Sequence, residues 1–311
     1  MIELNNISKR YKNNIALDNV SLQLGKNKIL GILGQNGAGK TTLMDIICGC
    51  KAPDSGTVSI NGFELSKSPE AYKNQISYMP EQVPLYKEMT VLEYLHFVAD
   101  LRKIIKKDIG AHINEILNLC GVFHVKNRLI GNLSKGYRQR VGIAQALIGN
   151  ANVLVLDEPT VGLDPKQVSE LLDLIKNLGK DHTILISTHR IYEIESICDE
   201  YIILHKGVIK HRANIVEQDK TRCKIELLID VNEVDILDKL QELSFVNTIN
   251  KIHTFKLTNI ELIKVIIECE GESFPEKAIN TIFGCSGYCI YGIQRVGEDI
   301  EKIFLDLTKE Q

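Results

Sequence analysis

The stretch GQNGAGKT, Gly34 to Thr41, has the spacing G-x-x-x-x-G-K-[ST], in which every residue type suits the holding of a phosphate chain. Gly34, Gly37 and Gly39 let the backbone N–H groups of the loop, including those of Gln35, Asn36 and Ala38, curl around an anion. Lys40 would neutralise the outer phosphates and the Thr41 hydroxyl would ligate Mg²⁺, with Thr42 next to it in the nucleotide-binding set. A second group sits far along the chain in NVLVLDE. Four apolar residues, Val153 to Leu156, run into Asp157 and Glu158, which places both carboxylates at the end of a core strand. Asp157 is then the natural Mg²⁺ partner, and Glu158 can reach a water as general base. The chemistry expected of the two groups together is binding of ATP or GTP and hydrolysis of its terminal phosphate.

Elements that could carry these groups are legible around them. KILGILGQNGAGKTTLMDIICG passes from an apolar strand through the Gly-rich turn into a helix, the order a parallel α/β core requires. Before it, MIELNNISKRY and NVSLQL alternate apolar and polar residues, as strands of an antiparallel sheet do. In TVLEYLHFVADLRK, Thr90 and Glu93 form a capping box, and Val91, Leu95, Val98 and Leu101 or their neighbours recur at helical spacing within a mostly helical region, residues 88–150. Asp164 and Pro165 supply an N-cap and first-turn proline for KQVSELLDLIKNLG, which Gly179 ends. HTILISTH reads as a buried strand, and YIILHKGVIK as two edge strands joined across Lys206 and Gly207. Beyond about residue 213, KIELLIDVNEVDILDKLQEL, HTFKLTNIELIKVIIE and YCIYGIQRVGEDIEKIFLDLTKE read as alternating strand and helix without phosphate-binding signals. The expected division is 1–212 for the nucleotide-binding domain and 213–311 for a small α+β domain with an accessory or regulatory role.

Composition narrows the function classes. With 311 residues, 44% hydrophobic and 25% charged, the chain can bury the cores of two domains. A net charge of -3 argues against a surface built to hold nucleic acid. The amino terminus MIELNNISKRYK lacks the apolar stretch of a signal peptide, and no run approaches the roughly 18 apolar residues of a membrane span. The expectation is a cytosolic chain, whose eight cysteines, free of paired C-x-x-C spacing, are buried reduced thiols and not a metal site.

Taken jointly, the motifs resemble the nucleotide-binding domain of ABC transporters over roughly residues 1–212. The resemblance implies an α/β phosphate-loop NTPase core, a parallel sheet flanked by helices, with an N-terminal antiparallel β subdomain and a helical subdomain. It implies that Tyr11 in ISKRYKNN stacks on adenine, although a structural Tyr in a sheet has the same appearance. Gln82 in ISYMPEQVPLY matches the glutamine loop that contacts Mg²⁺ and water, and Asp164 in VGLDP matches an aspartate that crosses between partners. His189 in LISTHR matches the switch histidine on the γ-phosphate.

LSKGY falls where the family has its signature, LSGGQ; Ser134 and Gly136 keep a hydroxyl and a bare amide at a helix start, while Lys135 and Tyr137 depart from it. Since the family places this signature opposite the phosphate loop of a second cassette, the resemblance implies head-to-tail pairing with a second ATP-binding subunit, identical or related. It also implies separate transmembrane permease subunits holding the chain on the cytoplasmic face of the membrane, and an export system. A soluble relative acting on nucleic acid or ribosomes would carry two cassettes or a coiled-coil insertion, and neither is present. A regulatory module that does not turn over would have no need of Glu158 and His189.

Overall fold

The computed structural model describes residues 1–12, 14–104, 109–215, 222–230, 233–257, 260–270, 275–296 and 300–309. The chain divides into two compact units, Met1–Ile215 with Phe304–Gln311, and Val216–Ile303. Parts of the expected helical region (105–108) and of the C-terminal strand and helix stretches (258–259 and 297–299) lie outside the described residues.

In the first unit, β1 (Ile2–Tyr11) and β2 (Asn14–Leu24) precede β3 (Ile29–Leu33) and α1 (Lys40–Ile47). Then come β4 (Ser55–Ile60), β5 (Phe63–Glu64), α2 (Pro69–Lys73) and β6 (Ile76–Met79). A helical stretch of α3 (Val91–Leu101), α4 (Ile109–Leu119) and α5 (Lys135–Leu147) follows. Alternation returns with β7 (Val153–Asp157), α6 (Pro165–Leu178), β8 (Thr183–Thr188), α7 (Ile191–Ile197), β9 (Glu200–His205) and β10 (Val208–Asn214).

The central sheet has the order β10-β9-β3-β8-β7-β6. β6, β7, β8, β3 and β9 run parallel, and β10 pairs antiparallel with β9. ILGIL, VLVLD and TILIST are buried at every position, as strands covered by helices on both faces must be. Parallel strands release their chains at one edge, so the segments after β3, β8, β7 and β6 emerge side by side. Those segments begin with Gly34, His189, Glu158 and Pro80. A second sheet, β2-β1-β4-β5, is antiparallel, and one apolar cluster joins both sheets: Ile2 and Leu4 with Leu43, Met44 and Ile47 of α1 and Val155 and Leu185 of the central strands.

One expectation needs correction here. β9 is not an edge strand: its residues Glu200–Leu204 are buried in succession, and it pairs with β3 on the side away from β10. The capping box of α3 is present, with Glu93 accepting from the Thr90 N–H at 2.8 Å, and Val91, Leu95 and Val98 are buried. Leu101, however, is 66% exposed at the last residue of the helix, and Tyr94 and Ala99 complete the packed face. Thr90 caps this helix with its own side chain, and the first two helical N–H groups, of Val91 and Leu92, donate to the Arg128 and Lys126 carbonyls.

In the second unit the order is β11 (Arg222–Asp230), α8 (Glu233–Gln241), β12 (Val246–Leu257), β13 (Ile260–Glu270), α9 (Pro275–Cys285) and β14 (Cys289–Val296); α10 (Ile300–Thr308) follows, and from Phe304 onward it is counted with the first unit. The sheet is antiparallel in the order β12-β13-β11-β14, a split β-α-β arrangement. Alternate residues Ile225, Leu227 and Ile229 of β11 and Val265 and Ile267 of β13 pack with Ile236 and Leu240 of α8 and Ile279 and Phe283 of α9. One sheet face is thus covered by both helices. Among its described residues, HTFKLTNIELIKVIIE contributes two strands and no helix, because its β-branched residues alternate between the two faces of a sheet.

The cysteines are not uniformly buried. Cys48, Cys120, Cys198 and Cys269 are, whereas Cys50, Cys285 and Cys289 are exposed; the Cys223 side chain lies outside those described. Burial pushes the Cys120 thiol up to about 12 and raises those of Cys48 and Cys198 as well. Among the described residues no helix is long and apolar enough to cross a membrane.

Candidate active site

The loop from Gly34 to Gly39 turns in left-handed backbone at Gly37 (φ 81°) and Gly39 (φ 108°). A Cβ at Gly39 would lie 2.5 Å from the Ala16 carbonyl oxygen, so only glycine fits this turn. Gln35 and Asn36 are exposed, while Gly34 and Ala38 are buried beneath the loop. Lys40, the first residue of α1, is 6% exposed and its Nζ donates to the Gly34 carbonyl at 2.7 Å and to that of Gln35 at 3.3 Å. Thr41 is exposed and Thr42 half-buried on the first turn of α1, where backbone N–H groups have no intrahelical acceptor.

Glu158 follows the last residue of β7 and reaches past the end of the adjacent β8 to the start of α1, which follows β3. Its Oε1 stands 3.5 Å from Lys40 Nζ and its Oε2 2.9 Å from His189 Nδ1. A carboxylate only accepts, so this contact puts the proton on Nδ1. The carboxylate is nearly buried, while the imidazole is 46% exposed. Glu158 has a φ of 47°, a left-handed conformation that costs an L residue about 1–2 kcal/mol. Its N–H donates to Ser187 Oγ at 2.9 Å, and the Ser187 hydroxyl in turn donates to Asp157 Oδ1. Asp157 is 1% exposed, and burial beside Asp157 and Asp45 holds the Tyr78 phenol far above its usual range, so Tyr78 stays neutral.

Thr41, Gln82 and Asp157 would offer Mg²⁺ a hydroxyl, an amide oxygen and a carboxylate, a hard all-oxygen set of the kind this ion takes. The structure suits such a role for Asp157: its Oδ1 is held by Ser187, which fixes the carboxylate at the strand end. Gln82 is exposed in the segment after β6, next to β7. Tyr11, at the end of β1, is 40% exposed with Lys9 Nζ at 5.7 Å and Lys51 Nζ at 5.6 Å from its ring centroid. Tyr11 is thus a paired strand residue whose ring is partly exposed between two ammonium groups.

A second group gathers apart from these. Ser134 caps α5, its Oγ accepting from the Tyr137 N–H at 3.4 Å, and Asp164 caps α6, its Oδ1 accepting from the Gln167 N–H at 2.9 Å. They border a cavity of 430 Å³ shared with Gly136, Tyr137 and Arg140. A Cβ at Gly136 would meet Gln167 Oε1 at 2.7 Å, so α5 and α6 approach closely here. A Cβ at Gly162 would lie 2.2 Å from Lys135 Nζ, which puts the Lys135 ammonium over the loop before α6. Ser134, Gly136 and Asp164 share no hydrogen bond or ion pair with Lys40, Glu158 or His189.

Ser187 is the member of the site that the sequence did not single out. It stands two residues before His189 in LISTHR, in a strand where a serine has no evident partner until β7 is placed beside it.

Comparison with known proteins places this arrangement. Residues 17–161 match a family model described as ABC transporter. The ABC transporter ATP-binding protein NatA of Bacillus subtilis (strain 168) is 35% identical over 218 residues, 68% of this chain and 89% of that protein. The bacitracin transport ATP-binding protein BcrA of Enterococcus faecalis is 32% identical over 309 residues, 99% of this chain and 96% of that protein. A solved dimer, a post-hydrolysis state of an ATP-binding cassette bound to ADP and phosphate, is 26% identical with a TM-score of 0.63, over 69% of this chain and 99% of that one. The order of the motifs, the parallel strands that bring them to one edge and these matches agree, and the chain belongs to the ATP-binding proteins of the ABC transporter family.

Proposed function

We propose that this chain hydrolyses ATP for an exporter, pairing head to tail with a second ATP-binding subunit and driving separate transmembrane permease subunits. The observation that carries the hydrolytic reading is the Glu158 carboxylate standing between Lys40 and His189 at the end of β7. Lys40 and the loop amides would hold the phosphate chain, and Tyr11 the adenine. Mg²⁺ held by Thr41, Gln82 and Asp157 would supply neutralising charge to the β- and γ-phosphate oxygens. Glu158 would accept a proton from the attacking water as its oxygen bonds to the γ-phosphorus and the bond to ADP breaks. His189, oriented by Glu158, would contact the γ-phosphate.

The second half of the site would come from the partner's cassette. Support for this lies in the separation of the Ser134, Gly136 and Asp164 group from Lys40, and in the solved dimer to which the chain is similar. In such a pair the Ser134 hydroxyl, the Gly136 amide and the Lys135 ammonium would meet a γ-phosphate held by the other chain. Ser134→Arg should therefore raise the concentration needed for ATP-dependent dimerisation about tenfold or more, by placing a bulky side chain at the helix start. Size-exclusion chromatography of an Mg²⁺-free ATP complex checks this, and an unaltered dimer peak would refute the pairing.

The export reading, and peptide antibiotics of the bacitracin kind as cargo, rest on the match to BcrA, which extends through the second unit to nearly the whole chain. Residues 213–311 would then be an accessory or regulatory domain of such exporters, and the chain would lie peripherally at the cytoplasmic face of the membrane through the permease. The division of the chain into two units supports a boundary close to that position. Expressed with the membrane protein that copurifies from detergent-solubilised membranes, the chain should raise the bacitracin concentration a sensitive host tolerates. Equal sensitivity with and without the pair would refute this cargo.

A further inference from the structure

Behind the Glu158–His189 pair lies a carboxylate that the reaction as written does not use. Glu193, on α7, is 0% exposed. Its Oε1 accepts from the Thr160 hydroxyl at 2.7 Å and its Oε2 from the Thr188 hydroxyl at 2.7 Å. Arg190 Nη1 at 3.5 Å and the Tyr192 hydroxyl at 3.3 Å complete its neighbours on the Oε1 side. Thr160 lies two residues after Glu158 and Thr188 immediately before His189. One buried carboxylate therefore ties together the two loops that carry the pair.

The tie has a physical purpose. Glu158 sits in left-handed backbone, a conformation that persists only where its surroundings over-determine it. On one side the restraint is Ser187, which accepts the Glu158 N–H. On the other, the turn closes with Val161 N–H donating to the Glu158 carbonyl at 3.2 Å, and Thr160 inside that turn is pinned by Glu193. Thr188 accepts the Arg190 N–H at 3.0 Å while donating to Glu193, so the turn that presents His189 is fixed by the same group. Burying a carboxylate is costly unless it is well bonded, and the same packing could have been achieved with an apolar residue.

We propose that Glu193 is a positioning residue for ATP hydrolysis, holding Glu158 and His189 in register through Thr160 and Thr188. The proposal rests on the reading of Glu158 as the base. Removing the tie lets the two loops drift, and displacement of a reacting group by about 1 Å costs on the order of 100-fold in rate. Nucleotide binding, carried by the phosphate loop and Tyr11, does not pass through Glu193.

The test compares steady-state ATP hydrolysis with equilibrium binding of a fluorescent ATP analogue. Glu193→Ala is expected to lower kcat about 10- to 100-fold while KM and the analogue's Kd stay within about twofold of wild type. Glu193→Gln, which keeps an acceptor oxygen toward one threonine and can donate to the other hydroxyl, should recover activity to within about fivefold of wild type. The double variant Thr160→Val with Thr188→Val should repeat the loss in kcat, and it decides the matter if Glu193→Ala does not fold. Wild-type kcat in Glu193→Ala or in the double valine variant overturns the proposal. So does a fall of kcat, affinity and melting temperature together that Gln does not relieve, since packing alone would produce it. Glu158→Gln run in parallel separates the two readings: if it too turns over normally, the base assignment has failed and not the tie.

Discussion

Glu158→Gln is expected to bind ATP at least as tightly as the wild type while its hydrolysis rate falls about 100- to 10,000-fold. The substitution is close to isosteric. The amide oxygen can still accept from His189, so the geometry of the pair, with Nδ1 at 2.9 Å, has a reason to survive. What is lost is the basic oxygen that takes the proton of the attacking water. Binding should not weaken, because an anionic neighbour of the incoming phosphates has been neutralised, while the phosphate loop and Lys40 are untouched. Phosphate release measured alongside a nucleotide titration checks both halves of the expectation, and the variant should accumulate as an ATP-bound dimer. Hydrolysis at the wild-type rate would falsify the assignment of Glu158.

Lys40→Ala should act on the other quantity, raising the Kd for ATP about 10- to 150-fold, the range that loss of a charged hydrogen bond of about 1.5–3 kcal/mol produces. Lys40 is nearly buried, and its ammonium is satisfied by two loop carbonyls and the Glu158 carboxylate. A phosphate entering the loop would replace those partners at little reorganisation cost, since the cation already sits where the loop closes. Without it, the Glu158 carboxylate keeps no cation on its Oε1 side and repels the anion instead. Isothermal titration with ATP and Mg²⁺ measures the shift, and an unchanged Kd would contradict the phosphate-loop reading. The two variants differ in kind: one separates binding from turnover, the other removes binding itself.

Local features were the most legible in the amino-acid sequence. The left-handed turns at Gly37 and Gly39, the capping box of Thr90 and Glu93, and the cap at Asp164 each depend on a few consecutive residues whose backbone and side chains bond to one another. The apolar runs of β3, β7 and β8 likewise announce their own burial. In the second unit the sequence was less clear, because IELIKVIIE is apolar at spacings that a short helix and a strand share. Pairing with β11 and β12 resolves it as a strand.

The motifs and the family they point to were thus legible in the sequence alone, because a phosphate loop is a contiguous arrangement of backbone. Which of those residues meet was decided by the tertiary structure. The strand order β3-β8-β7-β6 is not the order of the chain, and that order brings the Glu158 carboxylate to both Lys40 and His189 and gives Ser187 its partner Asp157. The same holds for the Lys135 ammonium over Gly162 and for the exposure of Cys50, Cys285 and Cys289. Contacts between distant segments are selected by burial and packing of the whole core, a sum over many residues that no short stretch contains. Glu193 shows the limit most plainly: in IYEIES it reads as an ordinary polar residue of a helix start, and it becomes the tie between two loops only when β7 and β8 lie side by side.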